Sequence, residues 1–191
     1  MNVAEKQALT SDASDFLDSL ALSGSVNLRT FVPNTQAGGS GGSYGTPFVI
    51  TGTEQASGVT ALVIDTRSTA GIDIKLDNVE FAAVIGVATV TGGAGRNYVV
   101  GDGSKQTIFL GEDDDVLRGG GGDDIVGSAG GNDQIFGDEG NDIVFGGSGN
   151  DLIDGGSGRD IVQLAGAGRG DYAIRVVNGE LVMTQRDGGA D

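Results

Sequence analysis

The chain has 191 residues, no Cys, no His and no Trp, and it carries a formal net charge of −16. Without Cys there is no disulfide framework and no thiol chemistry, and without His there is no Ser-His-Asp triad, Cys-His pair or HExxH zinc site. The acidic balance disfavours nucleic acid and anionic membranes as direct partners, and 5% aromatic residues argue against a wide conventional core.

In chain order, residues 1–46 read as an N-terminal arm and Gly-rich linker. The opening MNVAEKQALTSDASDFLDSLAL lacks a basic segment followed by an apolar one, so it is not a Sec signal peptide. Phe16, Leu17 and Leu20 give a modest helical hint that leaves a short helix, an extended arm and disorder all open. AGGSGGSYG (37–45) reads as a flexible linker or irregular loop. From Pro47 the pattern turns to strands: PFVIT (47–51), TALVIDT (60–66), IDIKL (72–76) and VEFAAVIGVATVTG (79–92). No apolar run approaches the length of a membrane span. Residues 47–91 are expected to form a β-solenoid cap that protects the open end of a stack.

From Gly92 to Gln163 the chain repeats every nine residues, eight times in one register. The eighth position is always aliphatic: Val99, Ile108, Leu117, Val126, Ile135, Val144, Ile153 and Val162. The sixth is Asp in the last six blocks, Asp115, Asp124, Asp133, Asp142, Asp151 and Asp160, and Gly crowds the first four positions. Calcium is a hard cation that takes six to eight oxygens from carboxylates and backbone carbonyls. Glycine lets a turn fold tightly enough to aim successive carbonyls at one point. One Asp per turn adds a carboxylate, and strands stacked about 4.8 Å apart let one ion bridge two turns. Residues seven to nine then form a short strand whose eighth side chain points inward.

The blocks follow GGxGxDxUx, with U a large aliphatic residue, and so resemble the nonapeptide of the RTX (repeats-in-toxin, hemolysin-type) calcium-binding family. The resemblance covers residues 92–163; blocks 119–127, 146–154 and 155–163 match in full. It implies an all-β, right-handed parallel β-roll in which two blocks make one coil and turns alternate between two edges. Asp115, Asp133 and Asp151 would then line one edge, and Asp124, Asp142 and Asp160 the other. Ions would sit between turns two blocks apart, with Gly120, Gly122, Gly131, Gly140, Gly147, Gly149, Gly156 and Gly158 supplying turn geometry and carbonyls. Asn132, Asn141 and Asn150, at the fifth position, are expected in left-handed backbone conformations. About three to five Ca2+ ions are expected, because several blocks depart from the pattern. Asn97 and Gln106 replace the Asp in the first two blocks, which read as a lead-in without strong sites. Asp113 stands where a fourth-position Gly belongs, and Ser128-Ala129 replaces Gly-Gly.

Acidic Gly-rich sequence is commonly disordered, and without calcium that reading holds here. Residues 110–163 hold thirteen acidic side chains against Arg118 and Arg159, a net −11, so stacking them without cations is opposed by Coulomb repulsion. Metal-binding free energy is then folding free energy, and calcium takes the place of disulfides as the staple. After the repeats, YAIRVV (172–177) and ELVMTQ (180–185) flank Asn178-Gly179, a strong hairpin signal. Residues 164–191 are read as a C-terminal capping hairpin of the kind that follows the last repeat in RTX-like proteins. Arg169-Gly170-Asp171 spells a tripeptide too short to carry an argument.

The resemblance implies a secreted, extracellular or cell-surface bacterial protein exported by type I secretion machinery. The ending RDGGAD lacks the aliphatic motif common in the family's secretion signals, so an atypical signal or a fragment is expected. Serralysin-like proteases and some lipases and epimerases share only such a tail, so no catalytic residues are assigned and the chain is not expected to be an enzyme. Three classes remain: a structural surface protein (S-layer, matrix, filament or adhesin segment), open to homo-oligomer formation; an accessory segment of a larger toxin or enzyme; and a binding module. Ice binding, which demands arrays of Thr, is disfavoured because the blocks contain only Thr107. Neither nucleic-acid binding nor membrane insertion is expected.

Overall fold

The computed structural model describes residues 25–33, 47–52, 58–69, 72–163, 172–177 and 180–185. Ahead of the repeats lie β1 (Ser25–Phe31), β2 (Phe48–Thr51), β3 (Gly58–Asp65), β4 (Ile72–Asp77), β5 (Phe81–Ile85) and β6 (Ala88–Gly92). Each nonapeptide then supplies one three-residue strand from its seventh to ninth positions. These are β7 (Tyr98–Val100), β8 (Thr107–Phe109), β9 (Val116–Arg118), β10 (Ile125–Gly127), β11 (Gln134–Phe136), β12 (Ile143–Phe145), β13 (Leu152–Asp154) and β14 (Ile161–Gln163). β15 (Tyr172–Val177) and β16 (Glu180–Gln185) follow. No helix occurs among the described residues.

Strands that follow one another along the chain alternate between two sheets. One sheet has the order β1-β3-β5-β7-β9-β11-β13-β16-β15 and the other β14-β12-β10-β8-β6-β4-β2. Every pairing is parallel except the two made by β16. The result is the expected parallel β-solenoid, about six turns long, with two blocks per coil. The coil length converges along the chain. Ser25 pairs with Gly58, Ala61 with Phe81 and Ile72 with Ala88, whereas Tyr98 pairs with Val116 and Ile125 with Ile143. The pairing interval thus falls from 33 residues to a constant 18 once the repeats begin.

A solenoid this narrow has room for one inward side chain per strand, which explains the invariant aliphatic eighth position. Val99, Ile108, Leu117, Val126, Ile135, Val144 and Ile153 are all buried and form one continuous cluster. Ile72, Ile74, Leu76, Val84 and Val90 extend that cluster into the upstream coils. Neighbouring strands stack like on like, and within the repeats the core stays thin without aromatic filling.

Two features differ from the sequence-based expectation. The run 79–92 is two strands in opposite sheets, broken at Gly86, whose φ of 91° turns the chain. A side chain on Gly86 would meet Thr66 Oγ1, which donates to the carbonyls of Ile85 and Val87 on either side (both 3.0 Å) and clamps this corner. The strand β1, which lies within the arm, was not anticipated. It extends the solenoid by pairing with β3 along seven residues.

At the other end β15 and β16 pair antiparallel, with Val177 opposite Glu180, and β16 lays Thr184 and Met183 against Leu152 and Ile153 of β13. This hairpin covers the edge of one sheet. In the other, β14 is paired on one side only among the described residues, and Ile161 is 61% exposed. The helical hint at 16–20, the linker 37–45, the Arg169-Gly170-Asp171 tripeptide and the Asn178-Gly179 turn lie outside the described residues.

Ile135→Ala removes a fully buried side chain from a core one residue wide, and should cost about 2–5 kcal/mol in urea unfolding with calcium present. Ile161→Ala, at the exposed last strand, should stay within about 0.5 kcal/mol.

Candidate metal centre

The turns between strands stack on two edges in the same 18-residue register. One edge carries Asp115, Asp133 and Asp151, and the other Asp124, Asp142 and Asp160. Within each edge every carboxylate uses Oδ1 to accept the backbone N–H of the sixth-position residue one coil earlier. Asn97 N donates to Asp115 (2.7 Å), Asp115 N to Asp133 (2.8 Å) and Asp133 N to Asp151 (3.0 Å). Opposite, Gln106 N donates to Asp124 (2.7 Å), Asp124 N to Asp142 (2.8 Å) and Asp142 N to Asp160 (3.0 Å).

The second oxygen of each is the informative one. Oδ2 of Asp115, Asp124, Asp133, Asp142 and Asp151 is buried with no hydrogen-bond partner. A buried, half-satisfied carboxylate is costly unless a cation or proton answers it. Burial pushes the Asp124 carboxyl up to about 7, and those of Asp115, Asp133 and Asp142 up to about 6. Burial also raises that of Asp151. The like-charged carboxylate one coil on adds to the effect for Asp115, Asp124, Asp133 and Asp142, while the donated N–H opposes it.

All eight expected glycines have positive φ: Gly120, Gly147 and Gly156 at the second position, and Gly122, Gly131, Gly140, Gly149 and Gly158 at the fourth. At Gly140 a side chain would also collide with the Gly122 carbonyl of the preceding coil, so both conformation and space require glycine there. Asp138 adopts the same second-position conformation (φ 72°) and pairs with Arg118, whose guanidinium also lies 4.8 Å over the Phe136 ring.

The fifth-position Asn residues do not behave as expected. Among the described residues only Asn78 and Asp138 are non-glycines with positive φ. The preceding glycine takes the left-handed conformation, which leaves Asn132, Asn141 and Asn150 free to build an outer ladder. Asn132 N donates to Asp114 Oδ1 (2.7 Å), Asn150 N to Asn132 Oδ1 (3.1 Å), Asn141 N to Asp123 Oδ1 (2.9 Å) and Arg159 N to Asn141 Oδ1 (3.1 Å). The two imperfect blocks keep the stack. Asp113 Oδ2 accepts Gly95 N (2.8 Å), and Ser128 Oγ donates to the Gly111 carbonyl (3.0 Å).

The first position separates the two edges. On the Asp124 edge it is always glycine: Gly101, Gly119, Gly137 and Gly155. A side chain on Gly137 would collide with Asp142 Oδ2 (2.5 Å) and the Gly155 carbonyl (2.5 Å), and one on Gly119 with Asp124 Oδ2 (2.7 Å) and the Gly137 carbonyl (2.6 Å). Glycine here lets each turn close against its own carboxylate and the next coil. On the Asp115 edge two first positions are filled: Leu110 sits in the apolar cluster and Ser128 is buried.

Among the described residues no three acidic side chains converge as a carboxylate cluster. An ion here must draw on carboxylates from stacked turns together with backbone carbonyls, which is the donor set a hard cation accepts. Residues 100–135 and 128–162 match the family model of the RTX calcium-binding nonapeptide repeat (4 copies). The segment 100–162 is an RTX calcium-binding array. No curated protein and no solved structure matches the chain. The orphaned Oδ2 atoms fit the ion that RTX repeats bind: the turns of Asp115, Asp124, Asp133, Asp142 and Asp151 each contribute one buried oxygen without a hydrogen-bond partner.

In chelator, the raised carboxyls bind protons more tightly folded than unfolded. Their contribution to stability is therefore full below about pH 4 and is lost as pH rises through 6 to 7. Lowering the pH from 8 to 5 should then increase β structure by circular dichroism without calcium. With calcium the same acidification should weaken binding, because protons compete for the carboxylates. Asp142→Asn should cost more calcium affinity than Asp113→Asn in isothermal titration, since Asp142 is buried with an orphaned oxygen while Asp113 lies at an exposed contact. Equal losses would argue against the two-edge arrangement.

Proposed function

We propose that the chain is a calcium-folded structural protein of the bacterial exterior, in which extracellular Ca2+ converts an acidic coil into a rigid β-roll. The observation that carries this reading is the row of five buried Oδ2 atoms without partners. Ions would be held by Asp115, Asp124, Asp133, Asp142, Asp151 and Asp160, with carbonyls from the turns around Gly120, Gly122, Gly131, Gly140, Gly147, Gly149, Gly156 and Gly158. Calcium supplies positive charge there and links successive coils. The six Asp residues and the glycine carbonyls position it, and the burial of Oδ2 keeps water from competing.

A structural rather than catalytic role is supported by the architecture, since every strand among the described residues belongs to the two solenoid sheets. Low calcium inside a cell and high calcium outside would keep the chain unfolded for passage through type I secretion machinery and fold it on arrival. The one-sided pairing of β14 among the described residues and the exposure of Ile161 favour self-association into a layer, matrix or filament. The second reading is an accessory segment of a larger type I-secreted toxin, adhesin or enzyme; it draws on the same calcium switch and differs in what is attached.

Titrating chelated protein with calcium, followed by far-UV circular dichroism and sedimentation velocity, tests both halves. A cooperative gain of β signal at millimolar calcium or below, with magnesium ineffective, is expected, together with a rise in sedimentation coefficient that depends on protein concentration. Full β structure in chelator would overturn the calcium switch. Folding to a monomer at every concentration would favour the accessory segment.

A further inference from the structure

The two sheets begin together and end unequally. The first coil supplies β1 and β2, and each later coil adds one strand to each sheet, down to β13 and β14. There the second sheet stops at seven strands, while the hairpin β16-β15 carries the first on to nine. The tail of the solenoid is therefore a step two strands high, about 10 Å. The head has no such step.

The pairing register shows which face of the hairpin the step leaves open. Met183 pairs with Ile153, an inward core residue only 3% exposed, and Ile174 pairs with Met183. Alternation along the strands puts Val176 and Leu181, paired with each other, at positions of that same face. All four positions are apolar, whereas Arg175 and Glu180 fall on the opposite face. In the repeats every inward position meets a strand of the other sheet. Among the described residues, no strand of the second sheet stands opposite β16 or β15. Residues 164–171 and 186–191, which adjoin the hairpin in sequence, carry one large apolar side chain between them, Leu164.

A second copy of the chain has the shape that fills this step. Consecutive strands alternate between the sheets, so the two sheets run in opposite directions. A twofold axis parallel to the strands and midway between the sheets inverts the stack and exchanges one sheet for the other. The second copy's hairpin then occupies the two levels missing beyond β14, and the first copy's hairpin does the same in return. Two antiparallel pairings separate β15 from β13, so β15 keeps the polarity of its sheet and meets the second copy's β14 antiparallel. The open edge of β14 is ready for a strand: Ile161 N donates back to the Asp142 carbonyl (2.8 Å), so alternation turns the Val162 N–H and carbonyl outward. The apolar faces of the two hairpins close on each other, and one surface is used twice, as a twofold contact requires.

We propose that this step docks a second copy of the chain, tail to tail, in a closed twofold dimer. This deepens the self-association proposed above by naming its contact, and it rests on that reading for the calcium that folds the repeats.

Sedimentation equilibrium of the full chain in saturating calcium chloride, with circular dichroism on the same samples, tests it. The unaltered chain should reach twice its monomer mass. Val162→Pro removes an N–H that the edge strand does not use internally, and should leave a monomer with its β signal kept. Val49→Asp, at the head, where Val49 is 57% exposed, should leave the dimer intact. A folded unaltered chain that stays monomeric overturns the proposal, as does a Val162→Pro chain that still dimerises or a Val49→Asp chain that does not. If Val162→Pro loses its β signal, Ile174→Asp, which charges the open face of the hairpin, takes its place with the same two outcomes. An unaltered chain with no β signal in calcium overturns the calcium reading and this proposal together. Full β signal in chelator overturns the calcium reading alone, and the same mass comparisons then decide the dimer.

Discussion

The structure depends on how two stacks of buried carboxylates, one on each edge, are neutralised. Each sixth-position Asp spends one oxygen on the backbone of the coil before it, and all but Asp160 leave the other buried without a partner. The first interaction sets the coil-to-coil register, because the N–H it accepts lies 18 residues upstream. The second makes that register unfavourable unless positive charge or protons are supplied. The same side chain is therefore both the alignment device and the source of the instability.

Other features of the fold follow from this double role. The apolar core is one aliphatic side chain per nine-residue block, little burial against the conformational entropy of ordering a glycine-rich turn. Upstream the balance is different. There, Ile72, Ile74, Leu76, Val84 and Val90 put several apolar side chains into each coil, and β3 to β6 are longer than the repeat strands. The solenoid thus joins a segment held by apolar packing to one held by electrostatics, inside the same pair of sheets.

The repeat segment was legible in the sequence because each block meets the same environment. The seventh-to-ninth residues are strands, the eighth side chains are buried in all blocks but the last, the named glycines take positive φ and the acidic positions divide between two edges. Where environments are not repeated, legibility fell. The run 79–92 has no polar break, so its division at Gly86 depends on a corner clamped by the distant Thr66. β1 carries no periodicity and is defined by a partner 33 residues away. Asn132, Asn141 and Asn150 were read from a local backbone preference, whereas their side chains answer to the neighbouring coil. The division of labour between Oδ1 and Oδ2 emerges only when turns are stacked.

The two edges also show how a small change in a repeat redirects its chemistry. Replacing the first-position glycine by Leu110 recruits that residue to the core, and replacing it by Ser128 puts a hydroxyl beside the carbonyl of Gly111. Both substitutions preserve the stack, because coil-to-coil pairing uses only the backbone N–H of that position, which Leu110 and Ser128 still donate to the carbonyls of Gly127 and Phe145. What they change is how closely the turn approaches its neighbours. On the opposite edge the first position is glycine at every level from Gly101 to Gly155, and a side chain at any of them would collide with a carboxylate, an amide oxygen or a carbonyl. The backbone repeat is therefore more tolerant than the spacing of its turns: one edge accepts a larger first residue, and the other is packed too closely to do so.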